Sequence, residues 1–318
     1  MSNTLRLIGR RLLQLPLMIL GITFLVFFVM SFSQVDPALA ALGEGASVED
    51  REAYREAHGL NDPLLVRYVA FLGGLLHGDL GTYSARQLPV LDEVARALPI
   101  TLQLTFLGLL IAVIGASLLG VAAAVWRDRW PDQVIRLVSI ASLSTPSFWL
   151  AILLIQLFTL QLKVLPASGP LPEFLTDPLG WLARMTLPAV ALAVPVIGQL
   201  SRVVRTAMVE ELDRDYVRTA LGAGVPRAVV VARNVFRNAL ITPITVLGLR
   251  VGYLIGGAVV IEIIFALPGM GTLILNGITN NEPNLVQGVT LAVALAFVVI
   301  NIVVDLLYVL INPRIRSV

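Results

Sequence analysis

The sequence predicts an all-α integral membrane protein of about six transmembrane helices, on three observations. First, hydrophobic residues fill 57% of the 318 positions and charged residues only 14%, against roughly 45–50% and about 25% in soluble domains. Surface area grows too quickly with chain length for one soluble core to hide that excess, so lipid must solvate much of the chain. Second, six stretches, at 12–32, 100–126, 134–160, 186–204, 240–265 and 285–311, are apolar and near or above the length that crosses the hydrocarbon layer. That takes roughly 20 helical residues for about 30 Å. Backbone groups in lipid must bond within their own segment, which selects helices over open strands. Third, the arginines partition between the two sides.

The first stretch follows Arg6, Arg10 and Arg11. It is longer than the apolar region of a signal peptide, and no small-residue cleavage pattern follows promptly, so an uncleaved first span is expected. With the amino terminus in the cytoplasm, the inner segments are 1–11, 127–133, 205–239 and 312–318. With Arg136 and Arg202 at their edges they hold 15 basic residues: Arg6, Arg10, Arg11, Arg127, Arg129, Arg136, Arg202, Arg205, Arg214, Arg218, Arg227, Arg233, Arg237, Arg314 and Arg316. The outer segments hold 7: Arg51, Arg55, Arg67, Arg86, Arg96, Lys163 and Arg184. That bias predicts both termini inside.

Two hydrophilic segments stand between the spans. The outer one, 33–99, is too long for a plain connector. It contains a helix-like acidic stretch at 48–58 and turn signals at Asn61-Asp62-Pro63 and at 78–81. The inner one, 205–239, reads as two short amphipathic helices separated by Ala223-Gly224-Val225-Pro226, with the proline placed where a helix starts. Such a helix, lying along the membrane and stopped by glycine, suits docking into a groove on a partner. On spacing alone, an ordinary surface loop carrying inside charges is the better reading.

Catalysis finds little support. The chain has no cysteine and two histidines, His58 and His77, both in the outer segment. It lacks a thiolate site, an H-E-x-x-H pair and the G-x-x-x-x-G-K-[ST] phosphate loop, so no metal site and no ATP hydrolysis by the chain itself are expected. Gly256-Gly257 suit close helix packing. A formal charge of +2 gives no reason to expect a nucleic-acid partner. Three ionisable residues fall within or beside spans: Arg250, Glu262 and Asp305. Such groups face a pore, a partner or each other. Glu262 and Asp305 suit structural pairing or a wet interface, and Arg250 suits a pore as well as a structural pair.

Resemblance adds the rest. The tract Tyr216-Val217-Arg218-Thr219-Ala220 with Gly224, then Arg237-Asn238-Ala239-Leu240, resembles the coupling-helix motif of ABC importer permeases. The dipeptide/oligopeptide/nickel branch, first-permease type, is similar along the whole chain in order. The matching pieces are Arg10-Arg11, Gly78-Asp79-Leu80-Gly81, Pro89-Val90, Leu98-Pro99, Thr101-Leu102 and Ser144-Thr145-Pro146-Ser147-Phe148. Glu262, Pro268-Gly269-Met270-Gly271, Asp305-Leu306-Leu307-Tyr308 and Asn312-Pro313-Arg314-Ile315-Arg316 complete the set. Three features depart from the pattern. Arg218-Thr219 replace a Glu-Ala pair, Leu221 and Gly222 stand where polar or basic residues are usual, and Arg250 is charged where a neutral polar residue is expected.

The resemblance implies a type I ABC importer permease fold: a first helix and extracellular region over 1–99, then a five-span core over 100–318 with a coupling helix near 210–226. It implies half of a translocation pore for short peptides in a bacterial plasma membrane. The partners would be a second homologous permease, two ATPase subunits that bind ATP and Mg, and a solute-binding protein, with no cofactor in this chain. Asp215, Tyr216, Arg218, Thr219, Ala220 and Gly224 would contact the ATPase; Arg250 and Glu262 would be candidate pore or substrate residues. Nickel, glutathione, a sugar–peptide conjugate or haem are alternative cargoes. A secondary transporter working without ATP would show inverted repeats and broken helices with midplane charges, and an intramembrane enzyme would need a nucleophile–base pair; neither pattern is evident.

Overall fold

The computed structural model describes residues 2–32, 36–43, 45–84 and 86–311, with side chains from 16 to 303 within those ranges except at 40 and 249. The side chains of Arg6, Arg10, Arg11 and Asp305, and the tail Asn312–Arg316, lie outside the described residues.

The chain opens with α1 (Ser2–Met30), the helix that contains the first apolar stretch. Three helices follow in the segment expected to be hydrophilic: α2 (Pro37–Leu42), α3 (Val48–Ala57) and α4 (Leu64–Leu76). α3 starts where the sequence places it because the Ser47 hydroxyl accepts from the Asp50 amide, with Glu49 and Asp50 in the first turn; negative charge there meets the positive helix end. A short antiparallel hairpin, β1 (Thr82–Tyr83) and β2 (Leu88–Pro89), leads into α5 (Val90–Val125). This helix begins ten residues before the expected span, through an amphipathic turn carrying Asp92 and Glu93.

The third stretch departs from expectation. In place of one helix over 134–160, α6 (Trp130–Ser144) and α7 (Ser147–Leu154) meet at 103°, and α7 continues as a π-helical turn, Ile155–Gln161. Pro146 donates no backbone hydrogen bond and drives the residue before it out of the helical region. Thr145 accordingly sits at φ −88°, ψ 117°.

Next comes α8 (Pro178–Leu212), roughly 50 Å long at ~1.5 Å per residue and so longer than a bilayer core. The short α9 (Asp215–Gly222) follows, then α10 (Arg227–Val229), a π-helical turn (Val230–Val235) and α11 (Phe236–Ala239). The last helices are α12 (Ile241–Ile264), bent by 43° between Gly248 and Arg250, α13 (Met270–Thr279) and α14 (Pro283–Ile311). Among the described residues, α5, α8 and α14 are long and apolar enough to cross a membrane, or five spans if each bent pair counts as one. The remaining expected span lies in α1, whose side chains are described only from Pro16.

Two compact units emerge, one holding the chain up to Thr101 with Leu267–Val299 and the other Leu102–Ala266 with the end of the chain. In the first, Val90, Val94 and Ala97 of α5 bury against Met270 of α13 and against Leu285 and Val289 of α14. The hairpin is tied to the α13–α14 turn: the Ser84 amide donates to Glu282 and the Asn284 side chain to the Thr82 carbonyl.

In the second unit α8 is the centre. Two-thirds of its most apolar window is buried, against 28% for α5. Close approach explains part of this: a Cβ on Gly198 would lie 2.5 Å from the Ser139 carbonyl, so only glycine lets α6 pack there. Beside it, the hydroxyls of Ser139 and Ser201 share a buried 2.9 Å hydrogen bond.

Candidate functional site

The residues of the 205–239 segment form one braced block. Val217 of α9 is buried with Val204, Met208, Val230, Val235 and Ala239, and Tyr216 and Ala220 pack against the same cluster. Tyr216 also works as a strut: its hydroxyl donates to Glu211 at 2.8 Å and accepts from the Asn238 amide at 3.4 Å. Burial pushes the phenol's pKa up, so it stays a donor. One face of α9 is thereby fixed to the end of α8 and to α11.

The other face is open. Asp215, Arg218, Thr219 and Gly222 are all exposed, and positions i, i+3, i+4 and i+7 make a single helical stripe. Arg218 and Asp215 form only a long contact, 3.7 Å, on this wet surface, which adds little stability. Gly224 ends the element with φ +81°, and the Val225 amide returns to the Ala220 carbonyl at 3.1 Å. A left-handed residue at that place favours glycine. The six positions singled out from the sequence thus divide: Tyr216 and Ala220 face the block, and Asp215, Arg218, Thr219 and Gly224 face solvent. Beside α9 a cleft of about 510 Å³ opens between it and the end of α5, lined by Trp126, Arg129, Leu212, Leu221 and Arg227 among others.

The block is anchored to the spans by ion pairs that the sequence did not disclose. Asp132, fully buried at the start of α6, takes both arms of Arg205 from α8 at 2.6 Å each, and accepts from the Asp128 amide. Arg127 at the end of α5 reaches Asp213 just past α8 at 3.0 Å. The arginine count treated Arg127 and Arg205 only as inside charges.

The two candidate pathway residues lie apart on α12. Arg250 is half-buried with its guanidinium 6.0 Å from the Tyr253 ring centre, and Glu262 is fully buried. A third feature was missed. Gln199, Arg202, Thr206 and Glu210 follow one another at helical spacing on α8 and, with Thr242, line a cleft of about 500 Å³. The signal was present as polar residues three and four apart in an otherwise apolar helix.

Comparison with known proteins decides the family. The binding-protein-dependent transport system inner membrane component profile matches residues 116–317, and its companion amino-terminal profile matches 4–105. The chain belongs to this permease family. It is similar to a protein of Brucella abortus (strain 2308) named as a peptide transport system permease, 42% identical over 310 residues that cover 98% of each chain. It is also similar to the D,D-dipeptide transport system permease protein DdpB of Escherichia coli (strain K12), 38% identical and covering 95% of this chain and 94% of the other. The glutathione transport system permease protein GsiC of Salmonella choleraesuis (strain SC-B67) is 36% identical, with 96% and 97% covered. The permease is therefore a multi-pass membrane transport subunit of an ABC importer, with the type I permease fold, and not an enzyme.

Proposed function

We propose that the permease forms half of the translocation pore for short peptides and that α9 is its coupling helix. The other half would be a second homologous permease. Two ATPase subunits would bind ATP and Mg beneath the pair, a solute-binding protein would deliver cargo from the opposite side, and both termini would lie in the cytoplasm. The observation that carries this reading is the two-faced build of α9. Its apolar side is locked into the block that holds α8, and its polar stripe, Asp215, Arg218, Thr219 and Gly222, is free for a partner. A push on that stripe would pass into α8, the most buried of the three unbroken spans, rather than be absorbed by a loop. A few kcal/mol of such bias suffices to switch a two-state pore.

The test is charge reversal on the stripe. Arg218→Glu should abolish co-purification of the ATPase subunits and peptide uptake while leaving the membrane-inserted permease intact, because the side chain is 78% exposed. Normal ATPase recovery and uptake would overturn the assignment.

For the pathway, the α8 stripe and Arg250 are the side chains proposed to meet cargo, with Arg250 pairing with a peptide carboxylate. Arg250→Gln in an assembled transporter should lower uptake of anionic peptide ends, and unchanged uptake would sink that role. Glu262 would reach cargo only if the packing around α12 opened. Relatives named for peptides and for a D,D-dipeptide favour peptide cargo. The glutathione-named relatives support a second reading in the same class, a tripeptide with a γ-linked end. Competition of labelled dipeptide uptake by glutathione in the reconstituted importer separates the two.

A further inference from the structure

Within the 33–99 segment one helix does not look like a water-facing connector. α4 spans 13 residues, LLVRYVAFLGGLL, about 20 Å of helix and too short to cross a bilayer. Tyr68 is its one buried side chain. Leu65, Val66, Val69 and Leu76 are exposed by between 52% and 87%, and with Gly73 they fall on one continuous apolar face. In water such a face is the kind of patch that marks a covered surface.

Three contacts fix where α4 lies along α1. The Tyr68 ring packs edge-on to Phe24 at 5.2 Å and against Phe27 at 5.5 Å, and the Phe71 ring lies tilted against Phe27 at 5.5 Å. The Tyr68 hydroxyl reaches further down, donating to the Leu20 carbonyl at 3.0 Å and sharing a 2.9 Å bond with the Thr23 hydroxyl. Phe24 and Phe27 stand six and three residues before Met30 ends α1, or about 5–9 Å below that end at ~1.5 Å per residue. Leu17, Leu25 and Phe28 of α1 are themselves exposed and apolar, so α4's bare face continues a surface that a membrane-spanning helix presents to lipid.

The opposite side of α4 differs. Arg67 lies over the Phe27 ring and, with Ala70 and Phe71, lines a cleft of about 440 Å³ in which Asp36, Arg55, Asn61 and Asn284 mix with apolar side chains such as Pro37 and Leu60. A bare apolar face, a single charged residue, Arg67, on the other side, and a depth of several ångströms together describe a helix at the interface, with its apolar side about 5–10 Å into the headgroup–acyl boundary.

We propose that α4 is embedded in the membrane interface on the side of segment 33–99, with the acyl chains as the occupant of its Leu65–Val69–Leu76 face. It anchors the segment to the bilayer and holds Arg67 and the cleft beside it at headgroup level. The inference depends on α1 crossing the membrane and not on cargo, orientation or coupling.

The chain contains no cysteine, so with any cysteines of the partner subunits replaced, single replacements report without background. Leu65→Cys, Val69→Cys and Leu76→Cys would each carry a nitroxide in the full transporter, reconstituted in phosphatidylcholine nanodiscs. Leu25→Cys on α1 and Glu56→Cys on α3 serve as lipid and water references. Expected is loss of collisions with a water-soluble nickel chelate at all three sites to the Leu25 level, with oxygen collisions retained. Nickel collisions at the Glu56 level would overturn the proposal by placing the face in water. Loss of both nickel and oxygen collisions would also overturn it, by showing a protein partner seated there. All three positions are exposed, so failure of one variant to accumulate leaves two that decide.

Discussion

Near each end of α8 an arginine is withdrawn from water, Arg205 partly (19% exposed) and Arg184 almost wholly, and the two are neutralised in opposite ways. Near the end adjoining α9, Arg205 forms a two-armed bond to one buried carboxylate, Asp132. Near the start, Arg184 is 2% exposed and its recorded acceptors are four backbone carbonyls. Nη1 donates to Ala167 at 2.6 Å, Nη2 to Phe265 at 2.6 Å and Ala266 at 3.3 Å, and Nε to Gly169 at 3.3 Å. Phe265 and Ala266 follow the last residue of α12, where carbonyls lack intrahelical donors and the helix dipole is negative. One arginine meets a full charge on one helix; the other spreads its charge over the dipoles of a helix end and a loop. The first pins two helices in register, and the second staples three separate pieces of chain.

The largest effect should come from separating the charges at the Arg205 end. Asp132→Ala leaves a guanidinium largely enclosed without its carboxylate, which costs about 3–5 kcal/mol in comparable buried pairs. Thermal unfolding of the purified protein in detergent should show it. Asp132→Ala combined with Arg205→Met should recover most of the loss, because an apolar replacement of both partners removes the stranded charge. A double variant as unstable as the single one would break the comparison at this end.

At the Arg184 end no single carboxylate can be removed, so rescue must come from the cation. Arg184→Met should destabilise by about 2–3 kcal/mol, the range for losing hydrogen bonds to a charged donor. Arg184→Lys should restore part of it, since one ammonium reaches fewer carbonyls than a planar fork. If lysine and methionine behave alike, the arginine acts by packing alone, and the contrast with Arg205 narrows.

A smaller effect tests how the Arg205 end transmits to α9. Gly224→Ala forces a side chain into φ +81° at a cost of about 1 kcal/mol. Nothing lies within 4 Å of a Cβ there, so the penalty is conformational. Global unfolding should move little, while protease cleavage at 222–226 should rise.

The sequence and structure agree where a local pattern suffices. Apolar runs located α5, α8 and α14, the acidic stretch at 48–58 located α3, and Gly224-Val225-Pro226 located the end of α9. Three things were out of reach for a common reason: they depend on what stands opposite. Arg184 and Arg205 flank the apolar stretch 186–204 symmetrically, and a flanking arginine reads the same whether water, a carboxylate or carbonyls face it. Asp132 and Arg205 are 73 residues apart, and only the packing of α6 on α8 brings them together. The apolar pattern of α4 was visible, but 13 residues inside a segment with ten or more charges average out to a hydrophilic reading. For the candidate site, the α9 positions were legible as a motif, whereas their division into a buried and an open face required the block beneath.

The smallest expected effect concerns a third arginine, Arg55, and asks whether a carboxylate partner behaves alike when it is wet. Arg55 bonds Asp36, ahead of α2, and Glu52 at 2.7 Å, with side-chain exposures of 32% for Arg55 and 25% for Asp36. The Arg55 hydrogen bond, opposed by burial, holds the Asp36 carboxyl below its ordinary value of 3.8. A lowered folded value means that the stabilisation is fully present above that ordinary value and is lost as pH falls through the folded one. Partial exposure keeps the contribution within the roughly 0.2–1 kcal/mol of surface pairs. Amide exchange in α2 and α3, corrected for intrinsic rates, should therefore be level from pH 7 to 5 and accelerate below about pH 4. Arg55→Gln should raise the neutral-pH rate and remove most of the acid step. The Arg184 contacts, with only carbonyl acceptors, should add no such step for α12. If α2 and α3 open identically in both proteins across that range, charge pairing in this segment is incidental, and the distinction between carboxylate and carbonyl partners holds only where water is excluded.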